Sequence, residues 1–116
     1  METEESFLKD LPKLISPGDL LTAKYYRRPL CYKEIPKSAE GQAFLGQTFR
    51  QVFFEGNTFV VLETTRRKWG ENKLELVLDP EGSILFIKLL SSIGEVFWME
   101  FGQKDLDSHF SILGND

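Results

Sequence analysis

The feature that most constrains this chain is the placement of its apolar residues in short segments separated by turn sequences. Leu74, Leu76 and Leu78 occupy every second position of residues 73–79, and residues 79–82 read Asp-Pro-Glu-Gly. An apolar residue at every second position is typical of a strand that buries one face, because successive side chains point to opposite sides. Asp, Pro and Gly in this order favour a type I or type II turn. The chain is therefore predicted to be rich in short strands joined by tight turns.

Five further segments have strand signals, and they are residues 20–26, 49–54, 58–65, 83–90 and 95–101. Segments 49–54 and 58–65 flank the sequence Glu-Gly-Asn, which predicts a hairpin with a three-residue loop. Segment 83–90 is apolar on both faces apart from Lys88, which predicts a central strand. Strands at this regular spacing predict an antiparallel meander.

Two short helices are predicted at the ends of the chain. Residues 4–15 have an apolar stripe at helical spacing, and Pro12 is expected to kink or end that helix. In residues 104–113, Asp105 is a suitable N-cap, and the apolar spacing is helical. The apolar residues at this spacing are Leu106, Phe110 and Leu113. The predicted fold class is α+β. It is a single domain over residues 1–116, with an antiparallel β-meander of five to six strands flanked by the two helices. Both an open sheet and a small barrel fit this pattern.

The sequence contains no recognisable catalytic or metal-binding constellation. One His and one Cys exclude a multi-His metal site and a Cys-based zinc cluster. Residues 41–46 begin and end in Gly but lack the Lys-Ser/Thr that a phosphate-binding loop needs. His109 is interpreted as a surface helical pair with Asp105. We therefore predict no catalytic residue, no metal and no cofactor, and we expect a protein that is not an enzyme.

Cys31 and the N-terminal sequence bear on location and reactivity. Arg28 and Lys33 near Cys31 can lower a thiol pKa, but a free cysteine more commonly behaves as a small buried hydrophobe. An unpaired Cys fits a reducing compartment. The start, Met-Glu-Thr-Glu-Glu, resembles neither a secretory signal nor a transit peptide. No apolar run approaches the roughly 20 residues that cross a bilayer. These features predict a cytoplasmic protein with no membrane partner.

The charge of the chain is distributed unevenly. The net charge is −4. Residues 24–73 contain ten basic and five acidic residues, whereas the remainder contains four basic and thirteen acidic residues. Two basic-aromatic clusters lie within the basic half. The first cluster contains Tyr25, Tyr26, Arg27 and Arg28, and the second contains Arg66, Arg67, Lys68 and Trp69.

We interpret both clusters as partner-binding. The second is predicted to fill a loop between strands, where an exposed Trp suggests a binding anchor and the arginines meet carboxylates. The predicted function is a small non-catalytic protein-binding or regulatory module that docks an acidic partner. Single-stranded nucleic acid is the alternative, because cations neutralise phosphates and rings stack on bases. It also remains open that Trp69 folds back over the sheet end and that the arginines form a solvated rim.

A third interpretation is a small-molecule carrier with a phenylalanine-lined cavity. The candidate lining residues are Phe49, Phe53, Phe59, Phe86 and Phe97. A chain of this length has little interior volume to spare, which favours their packing as ordinary core. The expected oligomeric state is a monomer or a weak homodimer.

Residues 17–24, Pro-Gly-Asp-Leu-Leu-Thr-Ala-Lys, resemble the first strand of small SH3-like barrels, including PWWP-type chromatin readers. The likeness covers eight of the 116 residues. It transfers no functional residue, because the adjacent Tyr25 and Tyr26 point to opposite faces of a strand and do not form an aromatic cage.

Overall fold

The described residues of the chain form one antiparallel sheet of eight strands. The computed structural model describes residues 15–36, 48–71, 75–102 and 105–113. The strands are β1 (Leu20–Ala23), β2 (Leu30–Tyr32), β3 (Thr48–Arg50), β4 (Thr58–Trp69), β5 (Leu76–Leu78), β6 (Ile84–Ser91), β7 (Val96–Phe101) and β8 (Phe110–Leu113). The helix within these ranges is α1 (Asp105–His109). The order across the sheet is β3-β2-β7-β6-β4-β1-β8, and β5 pairs with the end of β4.

The main core covers the inner face of the sheet, and Phe53 lies at its centre. The Phe53 ring is 4.5 Å from Phe59 and 5.9 Å from both Phe97 and Phe110, measured between ring centroids. These three rings come from β4, β7 and β8, so one side chain links strands that lie far apart in the sheet. Leu106 of α1 is also buried in this core. Strands β1, β2 and β6 contribute Leu21, Ala23, Cys31, Ile87 and Leu89.

The outer face of the sheet has a smaller apolar cluster. Tyr32, Phe86 and Trp98 are buried there, and Ile35, Leu76 and Ile84 pack against them. Strands β6 and β7 are thus buried on both faces, which explains why the sequence of β6 is apolar on both sides. The prediction of a central strand at residues 83–90 is confirmed, since β6 lies between β4 and β7.

A bulge in β4 changes which of its side chains face the core. Val61 lies opposite Leu89, whereas Glu63 lies opposite Lys88, and the register shifts between these two pairs. Because Leu89 and Lys88 are neighbours on β6, they point to opposite faces, and so do their partners. Every second residue after the bulge, from Glu63 to Arg67, therefore lies on the outer face.

The predicted α+β fold class is wrong. Strands account for 55% of the described residues and helix for 6%. The predicted N-terminal helix at residues 4–15 lies outside the described residues, except for Ile15, which is not helical. The predicted C-terminal helix ends at His109, and Phe110 begins β8. Pairing with β1 satisfies one edge of the β8 backbone, and Phe110 and Ile112 face the core by strand alternation.

The predicted hairpin of segments 49–54 and 58–65 is also wrong, and so is the five- to six-stranded meander. The turn between the two segments forms, with Gly56 at φ 87° and a 3.0 Å hydrogen bond from Asn57 N to Phe54 O. The flanking strands do not pair with each other, however. Strand β3 pairs with β2, and β4 lies between β1 and β6. In the described part of segment 73–79, Leu76–Leu78 form the short strand β5, and Leu78, predicted to point inward, is 66% exposed. Leu74 lies outside the described residues.

We expect the neighbouring phenylalanines Phe53 and Phe54 to differ greatly in their effect on stability. Phe53→Ala removes a fully buried ring from the centre of the core and should lower the free energy of unfolding by about 3–5 kcal/mol. Phe54 is exposed, so Phe54→Ala should change the free energy of unfolding by only about 0.5 kcal/mol. Urea unfolding of the two variants measures the difference. Equal costs would contradict the assignment of Phe53 as the centre of the core.

Candidate functional site

Residues 26–32 and 48–54 run antiparallel in one continuous register. Leu30 lies opposite Arg50, and an isolated bridge pairs Arg27 with Phe53 in the same register. Pro29 has no backbone N–H to donate, but its carbonyl accepts a 3.2 Å hydrogen bond from Gln51 N. The same register places Tyr26 opposite Phe54 and Arg28 opposite Val52. Residues 26–30 and their cross-strand partners, residues 50–54, are together called the exposed ribbon.

Side chains of the exposed ribbon alternate between its two faces. Pro29 and Phe53 point inward and are buried, whereas every even-numbered residue of the ribbon is exposed. The exposed residues are Tyr26, Arg28, Leu30, Arg50, Val52 and Phe54. This face therefore combines two aromatic rings, two aliphatic side chains and two arginines, and it contains no acidic residue.

The aromatic end of the exposed ribbon is its most accessible apolar part. The Tyr26 and Phe54 rings are 5.6 Å apart, and they are 55% and 58% exposed. A groove of about 260 Å³ borders Val52 and Phe54, and Ile93 also lines it. Exposed apolar side chains grouped in this way are typical of an interaction site.

The arginines of the exposed ribbon lie at its other end. The Nη1 atom of Arg50 donates a 3.0 Å hydrogen bond to the carbonyl oxygen of Arg28, which holds the Arg50 side chain across the ribbon. A guanidinium has five N–H donors, so most of the donors of Arg50 stay available. Glu95, next to the groove, accepts a hydrogen bond from Gln51.

Only half of the first predicted cluster lies on this face. Tyr26 and Arg28 belong to the exposed ribbon. Tyr25 instead hydrogen-bonds to Nδ1 of His109, with the two ring centroids 5.9 Å apart. Arg27 points away from the ribbon face, and its Nη1 atom is buried without a hydrogen-bond partner. His109, which we expected to pair with Asp105, thus connects α1 to the segment that follows β1.

The second predicted cluster is not a loop, because it forms the last third of β4. Arg66 donates from Nη1 to the carbonyl oxygen of Gly82 at 3.2 Å. Lys68 Nζ lies 3.3 Å from Asp79 Oδ2. Together with a backbone N–H of Glu81, which has the larger effect, Lys68 lowers the pKa of the Asp79 carboxyl.

The other two members of the second cluster lie on the outer face. Arg67 Nε is buried there and has no hydrogen-bond partner. Trp69 lies opposite Leu76 of β5 and is 40% exposed.

The structure does not bring the two predicted clusters together. Gly56 N donates to the carbonyl oxygen of Ala23, which places the first cluster beside the start of β4. The second cluster is at the other end of this 12-residue strand, which corresponds to about 35 Å of strand length. Sequence reasoning missed Leu30, Arg50, Val52 and Phe54. The available signal was the alternation of residues 50, 52 and 54, which the hairpin prediction assigned to a different partner strand.

The five phenylalanines considered for a carrier cavity do not surround one space. Phe49, Phe53, Phe59 and Phe97 lie on the inner side and contact one another through ring pairs. Phe86 lies on the outer face. Two of the inner rings, Phe53 and Phe59, border the groove beside the exposed ribbon.

In comparisons with known proteins, no protein-family model, no curated protein and no solved structure matches the chain significantly. Within the described ranges, no group of three or more His, Cys, Asp or Glu side chains is arranged to hold a metal ion. None of the helical residues described here forms a segment long and apolar enough to span a membrane.

We expect Cys31 to be unreactive while the protein is folded. Its side chain is buried, and burial raises the pKa of the thiol to about 12 despite the nearby Arg27 and Arg50 guanidiniums. The reactive thiolate is therefore almost absent at pH 8. Iodoacetamide should modify the native protein far more slowly than the urea-unfolded protein, as measured by intact mass. Similar rates in the two states would contradict this prediction.

We expect His109 to make stability depend on pH. Burial, and then the charge of Arg27, lower the pKa of His109 below its ordinary value of 6.5, while Asp105 partly opposes this. As the pH falls through about 6.5, the unfolded chain takes up a proton that the folded protein does not, so stability decreases.

The measurement is the melting temperature between pH 7.5 and pH 5.5. The control, His109→Gln, retains an acceptor for Tyr25 but does not titrate. Its melting temperature should therefore decrease less over this pH range than that of the wild-type protein. Identical losses in the two proteins would show that His109 does not contribute.

Proposed function

We propose that this protein is a non-catalytic protein-binding module that docks an extended acidic segment of a partner on the exposed ribbon. The observation that carries the proposal is the composition of the ribbon face. Aromatic and arginine side chains are the types enriched at the energetic centres of protein interfaces. Here they lie on a backbone that is fixed from behind by the buried Phe53.

The positions of the two arginines favour a particular partner. Arg28 and Arg50 are diagonal neighbours in the register, which corresponds to about 7–8 Å between their attachment points. Alternate residues of an extended peptide are separated by about 7 Å. A partner with Asp or Glu at positions i and i+2 therefore matches both arginines at once. An aromatic or aliphatic residue nearby would contact the Tyr26–Phe54 pair.

A protein partner fits this surface better than nucleic acid does. Nucleic-acid binding requires the neutralisation of several phosphates, and the ribbon face has only two cations. Glu55 and Glu95 lie next to its aromatic end, and the chain as a whole has a net charge of −4. We include a cytoplasmic location in the proposal, because the unpaired Cys31 fits a reducing compartment.

We expect Phe54→Ala and Arg28→Glu each to weaken peptide binding at least tenfold. The probes are peptides selected on the wild-type protein from a displayed library of random 12-residue sequences. Selected sequences should contain two acidic residues at i and i+2 next to an apolar residue. Binding to purified variants is measured by fluorescence anisotropy, and a loss of about 2 kcal/mol at a central interface residue corresponds to about 30-fold.

Trp69→Ala is the matched control, since Trp69 is an exposed aromatic residue at the opposite end of β4. The affinity of the Trp69→Ala variant for the selected peptides should remain unchanged. Loss of binding in Trp69→Ala but not in Phe54→Ala would transfer the site to the second cluster. Selection of peptides without acidic residues would contradict the proposed partner. Tighter binding of a single-stranded oligonucleotide, with affinity that falls steeply with salt, would favour nucleic acid instead.

A further inference from the structure

A second pocket lies on the outer face of the sheet, away from the exposed ribbon's aromatic end. Its volume is about 290 Å³. The lining residues are Glu34, Ile35, Pro36, Arg67, Leu76 and Trp98. Strands β4, β5 and β7 and the segment after β2 thus contribute to a single pocket, which we call the outer pocket.

The buried guanidinium nitrogen of Arg67 is the unusual feature of the outer pocket. Arg67 Nε is shielded from solvent and has no hydrogen-bond partner. Leaving a buried donor of a charged group unpaired is costly, and native structures rarely do so without a reason. An anionic ligand in the outer pocket would offset the charge of the Arg67 guanidinium, and a carboxylate can bind a guanidinium through two parallel hydrogen bonds.

The apolar part of the outer pocket suits a flat ring. Trp98 is only 9% exposed and lines the pocket together with Leu76 and Ile35. Lys88 Nζ lies 5.8 Å from the centre of the Trp98 ring, which fixes a second positive charge near the site. A ring that packs against an aromatic side chain gains from both burial and stacking.

The charges around the outer pocket indicate a ligand with a single negative charge. Arg67 and Glu34 are the charged residues of the lining, and Lys88, beside Trp98, lies opposite Glu63 on the same face. One carboxylate on the ligand would pair with Arg67, whereas a doubly charged phosphate would be repelled more strongly by Glu34. The volume is at the lower limit for ligand pockets, so the ligand must be small.

We propose that the outer pocket binds a small aromatic carboxylate, with the carboxylate on Arg67 and the ring against Trp98. This site is separate from the proposed peptide-docking function, and neither proposal depends on the other. The bulge in β4 is what makes the site possible, because it places Arg67 on the same face as Trp98.

The test uses phenylacetate and benzoate as probes, with phenylacetamide and benzamide as uncharged counterparts of the same shape. Two-dimensional ¹H–¹⁵N NMR follows the Nε–H signal of Arg67 and the indole N–H signal of Trp98 during titration. Both signals should shift and saturate with the carboxylates in the millimolar range or below, and the amides should bind at least tenfold more weakly. Phenyl phosphate should also bind more weakly than phenylacetate.

The matched variants are Arg67→Gln and Arg66→Gln. Arg67→Gln removes the guanidinium from the outer pocket and should weaken phenylacetate binding at least tenfold. Arg66→Gln changes the neighbouring arginine, which faces the other side of β4, and should leave phenylacetate binding unchanged. Melting curves establish that both variants are folded. If Arg67→Gln does not fold, the comparison of carboxylates with amides on the wild-type protein decides the question.

Three results would overturn the proposal. They are the absence of saturable carboxylate binding in the millimolar range, equal binding of carboxylates and amides, and equal losses in Arg67→Gln and Arg66→Gln. Tighter binding of phenyl phosphate would overturn the assignment of a singly charged ligand. Peptide binding at the exposed ribbon is measured separately in the same samples, so a failure at one site is distinguishable from a failure at the other.

Discussion

The outer face of this sheet depends on one extra residue in β4. Without the bulge between Val61 and Glu63, strand alternation would place Glu63 and Arg67 on the inner face with Phe59 and Val61. Two charged groups would then be directed toward a core of aromatic and aliphatic side chains, at a large cost in desolvation. The bulge lets the first half of β4 bury its odd-numbered residues and the second half turn them outward. Bulges commonly redirect side chains in this way.

The exposed ribbon depends on a different constraint, which is the burial of Phe53. Phe53 contacts rings from three strands, and its backbone forms two hydrogen bonds with Arg27 at 2.9 and 3.0 Å. Once Phe53 points inward, alternation directs Val52 and Phe54 outward, and the cross-strand register does the same for Tyr26 and Arg28. The buried and the exposed side chains of the ribbon are therefore two sides of one pair of segments. A substitution at Phe53 would disturb the exposed ribbon through the backbone, whereas one at Phe54 would leave the core intact.

The sequence predicted where the strands lie better than it predicted which strands pair with each other. Strand β6 was recognised as central because its residues are apolar on both faces, and the burial of Phe97, Met99 and Phe101 in β7 follows their alternation. The turn after Phe54 was also recognised. Its flanking segments nevertheless pair with strands distant in sequence, because the position of Phe53 in the core outweighs the local hairpin signal. Short periodic patterns do not specify which distant strands pair. The spacing of Phe110 and Leu113 was compatible with a helix as well as with a strand.

The same alternation explains why the sequence located the candidate site only in part. Three pairs of neighbouring residues have the same chemistry but lie on opposite sides of the backbone: Arg27 and Arg28, Phe53 and Phe54, and Arg66 and Arg67. In each pair the first residue packs against the protein itself. The second residue lies on the exposed ribbon, as Arg28 and Phe54 do, or lines the outer pocket, as Arg67 does. When a cluster is contiguous in sequence and lies in a strand, only about half of its residues can therefore lie on one face. A cluster in a strand-rich chain becomes a surface only when the register of the partner strand adds side chains from elsewhere, as Arg50, Val52 and Phe54 do here.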